Sequence, residues 1–231
     1  MIATHTDRSM FVQDTVSLKS VWQNIDANSC PKFYNFHMHT VCSDGRLTPQ
    51  ALMSQAVEIG LQGLAITDHH TIQGYYQAQT WLEIQQRQQP DKSFPHLWTG
   101  IEITSDLQGV EVHILGYDFN PRNSHLQTYL TGEKPSWETA KAERVIDTIH
   151  QAGGLVILAH PSRYRRPMEE LVPLAVALGI DGIEAYYAYD NPNPWRTSIQ
   201  PTEQAKNLAK KYTLFTTCGT DTHGLNLLRR I

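Results

Sequence analysis

Short apolar runs alternate with amphipathic stretches along most of the chain. β-prone runs at Tyr34–Phe36, Gly63–Thr67, Leu97–Ile103, Val110–Gly116, Leu155–Ala159, Gly182–Tyr187 and Leu214–Thr217 predict seven strands. Thr48 and Pro49 have the chemistry of an N-cap and first helical residue, and Leu52, Ala56 and Ile59 follow at helical spacing before the stop at Gly60. Further helices are predicted at Ile72–Gln88, Trp137–Gln151, Glu169–Leu178 and Thr202–Lys211. Only the turn Ser105–Gly109 separates the third strand from the fourth, which is short enough for a hairpin. Unbroken apolar runs such as LVILA suit strands buried on both faces, as in parallel sheets. The alternation therefore predicts an α/β barrel over residues 33–231. Residues 1–32 read as an N-terminal extension packed loosely on that domain, with a short helix at Leu18–Ile25.

Composition narrows this picture. The chain has 231 residues, 40% of them hydrophobic, enough for one domain of the larger kind. A net charge of −4 argues against a broad nucleic-acid or membrane footprint. Three cysteines, Cys30, Cys42 and Cys218, form no C-x-x-C pair and suggest no disulfide framework, so a reducing cytoplasm is the expected home. No stretch is long and apolar enough to span a bilayer, and the first residues lack the apolar segment of a secretory signal.

The polar residues fall repeatedly at strand ends. FHMHTVCSDG carries His37, His39 and Asp44; TDHH carries Asp68, His69 and His70. Glu102 lies in GIEIT, His113 in EVHILG, His160 in LAHPSRYRR, and Asp221 and His223 in CGTDTHG. In a parallel barrel the C-terminal strand ends share one mouth. Residues i and i+2 of a strand face the same way, so the HxH and DxH pairs aim together. Six histidines and three carboxylates in one place would be costly without a partner, and divalent cations resolve the cost. Imidazole with carboxylate suits zinc, manganese or iron. Nine ligands exceed one tetrahedral site, so two or three metals are implied, an arrangement suited to activating water against a phosphoryl group. His5, His96, His125 and His150 read as surface residues, and Asp68 as a carboxylate that orients a ligand histidine.

Together these segments resemble the PHP (polymerase and histidinol phosphatase) family of metal-dependent phosphoesterases, from Phe33 to the end of the chain. The resemblance implies a distorted (β/α)7 TIM-like barrel with its metal site at the C-terminal strand ends. It implies that His37, His39, Glu102 and Asp221 hold one ion. Glu102 would bridge to a second, held also by His113 and His160, and Asp44, His69 and His223 would hold a third. The HP-x-R-Y segment resembles the branch acting on nucleotide and short-RNA phosphates. Two departures stand out. TDHH replaces the TDHD of many relatives, and only about 46 residues separate His113 from His160, too few for the added lid domain common in that branch.

The expected function is hydrolysis of a small phosphorylated substrate: a nucleotide, a nucleoside bisphosphate or a short RNA. Glu102, Asp221 and His160 are the catalytic candidates, with His70 placed by position as an acid for the leaving group. Arg163, Arg165 and Arg166 are candidates for gripping phosphate, Arg163 foremost. Tyr187, Tyr189 and Trp195 offer either base stacking or plain packing. Three alternatives stay open: a histidinol-phosphate-type phosphatase, a metal-dependent C–N hydrolase, and a non-catalytic metal-binding regulatory domain.

Overall fold

The computed structural model describes residues 13–231; the readings of His5 and of the first twelve residues fall outside that range. The strands are β1 (Tyr34–Asn35), β2 (Gly63–Ala65), β3 (His96–Trp98), β4 (Gly100–Leu107), β5 (Val110–Tyr117), β6 (Leu155–Leu158), β7 (Gly182–Tyr186) and β8 (Phe215–Cys218). The α-helices are α1 (Thr15–Trp22), α2 (Pro49–Ile59), α3 (Gln73–Gln88), α4 (Ala142–Gln151), α5 (Met168–Ala177) and α6 (Ile199–Tyr212). The caps of α2 are those of its sequence. The Thr48 hydroxyl accepts from the Ala51 amide, Pro49 opens the helix, and Gly60 closes it at φ 84°, where a side chain would be strained.

An α/β architecture is present, but the closed barrel is not. The strands form one parallel sheet, β1-β2-β3, and one five-stranded sheet, β4-β5-β6-β7-β8. At the seams the backbone makes isolated bridges, His69↔Glu102 and Met38↔Thr222, instead of continuous ladders. His70 and Asp221, each one residue from a bridging residue, have φ of 55° and 54°. Extended strands need negative φ, so a ladder cannot run through either residue. The backbone gives up pairing where it turns to present site residues.

The strand polarity also departs from an all-parallel arrangement. β5 runs antiparallel to both β4 and β6. It is the hairpin partner of β4, and its reversal puts the early half of the strand, with His113, at the mouth. The predicted helix over Trp137–Gln151 is split. A 3₁₀ turn covers Trp137–Ala140, and the α-helix starts only after Lys141, whose ψ of 128° is extended.

The described part of the N-terminal segment is not loosely packed. Leu18, Trp22 and Ile25 are buried. The Trp22 ring meets Tyr117 and Phe36 edge-on at 5.3 and 6.0 Å, and the Tyr117 hydroxyl donates to the Phe36 carbonyl at 2.7 Å. Phe36 immediately precedes His37, so α1 braces the floor of the site. No helix among the described residues is long and apolar enough to cross a membrane.

Candidate metal centre

The site is built around one carboxylate. Glu102 enters from β4, almost fully buried. Its Oε2 lies 3.0 Å from Nε2 of His37, 3.0 Å from Nε2 of His39 and 3.5 Å from Nε2 of His69. Its Oε1 lies 2.7 Å from Nδ1 of His113 and 3.3 Å from Nε2 of His160. Five imidazoles thus surround one acid, and both oxygens are engaged. Burial opposes charge on Glu102, but His37 and His113 outweigh it and hold the carboxyl well below the usual range.

Three groups have ligand atoms close enough to share an ion: His37–His39–Glu102–Asp221, His69–Glu102–His113 and His39–Asp44–His69–His223. The first coincides with the set implied by the resemblance. In the second, His69 stands with Glu102 and His113, while His160 reaches the same carboxylate from the other side. In the third, His39 joins the expected trio.

The donor set fits cations. Both ring nitrogens of His39 are buried without a hydrogen-bond partner, although Nε2 lies 3.0 Å from Glu102 and 3.2 Å from Asp221. Nδ1 of His69 and Nδ1 of His160 are likewise orphaned. Buried polar atoms left this way are expensive unless something else occupies their lone pairs. Imidazole and carboxylate donors together suit zinc, manganese or iron.

Asp221 sits at a strained position, φ 54°, and divides its two oxygens. Oδ1 faces His39, His37 and His223 at 3.2, 3.4 and 3.5 Å. Oδ2 accepts from the Tyr187 hydroxyl at 2.7 Å, Arg230 Nε at 2.9 Å and Arg163 Nη1 at 3.0 Å. Gly219, two residues earlier, permits this approach: a Cβ there would stand 2.2 Å from that of His37.

Two of these supports escape a reading of the sequence. Glu184, on β7, takes His37 Nδ1 at 2.9 Å and the His160 amide at 2.8 Å. A lone acid within the buried run GIEAY was its available signal. Arg230 had none, because its contact depends on the final loop folding back, with the Arg230 carbonyl accepting from the His223 amide at 2.7 Å.

Other expectations are corrected. Asp68 orients no ligand histidine. It accepts from the Thr40 amide at 2.6 Å, the Thr40 hydroxyl at 2.7 Å and the Ser43 hydroxyl at 2.9 Å, and so fixes the turn that carries Asp44. His70 turns Nε2 toward the Thr104 hydroxyl at 3.2 Å. Burial, then the neighbouring His113, push its imidazole down to about 4, so the ring is neutral rather than an imidazolium near pH 7. Arg166 is paired with Glu170 at 2.8 Å and Arg165 is exposed, so of the three arginines only Arg163 reaches the cluster. Tyr187 and Trp195 are buried and the Tyr189 hydroxyl accepts from the Ser162 amide, which makes these rings packing residues. His96, His125 and His150 are exposed, as expected.

The family model of the PHP domain matches residues 35–213. The chain belongs to the PHP domain family. Among curated relatives, this PHP chain is 27% identical to the 5'-3' exoribonuclease Rnm of Escherichia coli, with 82% of the chain and 85% of the relative covered. The Salmonella typhimurium protein of the same name is 25% identical at the same coverage. A 5'-3' exoribonuclease of Haemophilus influenzae is 31% identical, over 58% of this chain and half of its own length. The two Rnm alignments run over 265 and 263 residues, longer than this whole chain, so those relatives carry insertions that it lacks.

Two solved structures share the fold at a TM-score of 0.68. One is a Bifidobacterium adolescentis protein assigned as a metal-dependent phosphoesterase, 23% identical, covering 84% of this chain and 88% of that one. The other is an amidohydrolase from Chromobacterium violaceum, 20% identical, covering 83% and 87%. Such likeness speaks for the PHP fold alone and does not choose between their two reactions.

Proposed function

We propose that this PHP protein is a phosphoesterase that uses two or three divalent ions to hydrolyse a phosphate ester of a nucleotide or short RNA. The observation that carries the reading is the Glu102 carboxylate, its two oxygens divided among five imidazoles, with buried ring nitrogens of His39, His69 and His160 left without partners. His37, His39, Glu102 and Asp221 would hold one ion. Glu102 would bridge to a second with His113, His160 and His69. Asp44, His69 and His223 would hold the outermost. Bound ions would supply charge to the phosphoryl oxygens and lower the pKa of water.

The chain's own groups do the remainder. Glu184, 2.9 Å from His37 Nδ1, orients that ring with Nε2 turned into the cluster, 3.0 Å from Glu102. Tyr187 and Arg230 hold Asp221 so that Oδ1 faces the imidazoles. Arg163, more than a third exposed beside Asp221, is placed to grip a phosphate oxygen through its planar donors. The names of the curated relatives support short RNA as the substrate class. Manganese, zinc and iron all suit the donors. Three free thiols, two of them buried, suit a reducing compartment.

The test is a hydrolysis screen after loading with manganese, zinc or iron. Substrates are mononucleotides, nucleoside 3',5'-bisphosphates, short RNA, histidinol phosphate and a set of amides. Release of inorganic phosphate from the nucleotides, or of nucleotides from short RNA, is the expected result. Turnover confined to amides would sink the reading.

A further inference from the structure

The loops that follow β6, β7 and β8 carry positive charge that the metal centre does not use. These three strands are mutually parallel, so their loops leave the sheet at one end, that of His160, Tyr187 and Asp221. Hydrogen bonds join the loops into one rim. The Ser162 amide donates to the Tyr189 hydroxyl at 3.1 Å, and the Tyr189 amide to the Ser198 hydroxyl at 2.9 Å, which ties the first loop to the second. Arg163 and Arg230 donate to the same Asp221 oxygen at 3.0 and 2.9 Å, which ties the first to the third.

Residues 159–167, 187–198 and 219–231 of this rim hold six arginines: Arg163, Arg165, Arg166, Arg196, Arg229 and Arg230. Against them, apart from the site residue Asp221, stands one acid, Asp190. Arg163 and Arg230 are paired with Asp221, and Arg166 with Glu170. Arg165, Arg196 and Arg229 are exposed, and none has an acidic partner among the described residues. The chain as a whole carries −4, so the rim concentrates charge against the general sign. The β4–β5 hairpin shows the contrary balance, with Asp106 and Glu111 exposed and Lys134 paired to Glu111. Like charges gathered on one rim repel, and the fold gains nothing by gathering them.

We propose that this arginine rim is a track for the backbone of a single-stranded oligonucleotide, holding the nucleotides beyond the phosphate ester that lies in the metal cluster. The inference rests on the phosphoesterase reading and deepens it, because it assigns the uncleaved part of the strand to the β6–β8 side. Three exposed arginines without acids match about three backbone phosphates. Tyr187, Tyr189 and Trp195 on the same loops are packed, so the rim offers charge without a stacking platform. Contacts to phosphates position a strand and carry no sequence information, so the track has no base preference.

The test uses manganese-loaded protein with a mononucleotide and an RNA hexanucleotide as substrates. It compares wild type with Arg165→Gln/Arg196→Gln/Arg229→Gln and with the corresponding triple lysine variant. Three neutralised phosphates of a single strand give a slope of about −2 in log kcat/KM against log salt. An increase of about fourfold in salt should therefore lower the wild-type kcat/KM on the hexanucleotide about fifteenfold more than on the mononucleotide. The glutamine variant should lose that excess slope and about tenfold in kcat/KM on the hexanucleotide at low salt, with less than about twofold change on the mononucleotide. The lysine variant should keep the slope, because charge carries it. Equal slopes on both substrates in wild type, a slope that survives in the glutamine variant, or equal losses on both substrates would each overturn the track while leaving the phosphoesterase reading intact. Binding to phosphatidylserine vesicles that the glutamine variant loses, without any hexanucleotide effect, would assign the rim to a membrane surface and also overturn it. A wild type inactive on every phosphate ester would mark failure of the underlying reading. Fluorescence anisotropy of a labelled hexanucleotide, with the same slopes expected, would then decide the track alone.

Discussion

The inner and outer halves of the metal cluster use the same side-chain types in opposite surroundings. His37, His39, Glu102 and Asp221 are all buried, and two of them have dedicated supports: Glu184 behind His37, and Tyr187, Arg163 and Arg230 behind Asp221. Asp44, His69 and His223 are 53%, 21% and 23% exposed, and Asp44 meets the imidazoles at a looser 3.2 to 3.8 Å. Desolvated, fixed charges interact far more strongly than wet ones. On the proposed function, the inner half would retain its ions and the outer half would exchange them.

The largest effect should come from the group that joins the halves. Glu102→Gln replaces a bridging carboxylate with a neutral amide that can serve one side at best. Activity should fall by about 10²-fold or more, the scale of losing a transition-state electrostatic contact. Metal analysis should show ions missing from the inner half as well. Full occupancy with near-normal turnover would remove Glu102 as the bridge.

Glu184→Gln should act on the inner half alone. It keeps the shape but weakens the acceptor that orients His37 and leaves the His160 amide with a poorer partner. Losses of about 10- to 100-fold in metal affinity are usual for such supports. Competition with a chromophoric chelator would read the tight sites separately from the weak one. Weakening of the outer ion alone would contradict the division.

Much of this centre is legible in the chain, for local reasons. All nine expected ligands converge, because HxH and DxH pairs and lone acids in apolar runs carry their direction with them. The supports are harder to read. Asp68 beside His69 suggests a histidine's partner, yet it binds the turn at Thr40–Ser43, which only the folded arrangement brings near. Arg230 depends on one loop reversal. The open seams follow from left-handed residues at His70 and Asp221, ordinary residue types whose backbone angles no local pattern announces.

The two halves should also answer differently to protons. Burial alone would push His39 down, but Asp221 and Glu102 outweigh it and hold the imidazole up at about 9. At His69 burial prevails and the imidazole drops to about 4. The metal-free fold thus keeps a proton on His39 near neutrality and none on His69. The His39 contribution to stability is complete below its unfolded value of about 6.5 and is lost as pH rises through about 9. That of His69 is present above about 6.5 and lost as pH falls toward about 4. Cation binding to the inner half must displace the protons held on His39 and on His37, which its acidic neighbours also hold up, so the apparent affinity of that half should rise at least about tenfold from pH 7 to pH 8, with proton release. Titration calorimetry in buffers of different ionisation enthalpy would detect those protons. No release on filling the tight sites would break the contrast.

The smallest effect on the inner half should come from Asp44→Asn. Asp44 is half exposed, on a turn held by Asp68, and His223, His39 and His69 stabilise its charge against the cost of partial burial. Removing the charge should release the outermost ion, lowering metal content by about one equivalent at limiting metal. The inner sites share only His39 and His69 with the outer group. A wet, loosely placed carboxylate contributes at most about 1 kcal/mol to its neighbours, so inner affinity should change by less than about fivefold. Chelator competition on Asp44→Asn beside Glu184→Gln makes the comparison direct: one variant should lose the weak ion and keep the tight ones, the other the reverse. Should Asp44→Asn empty the tight sites too, the halves are a single cooperative cluster, and exposure has no bearing on which ion leaves first.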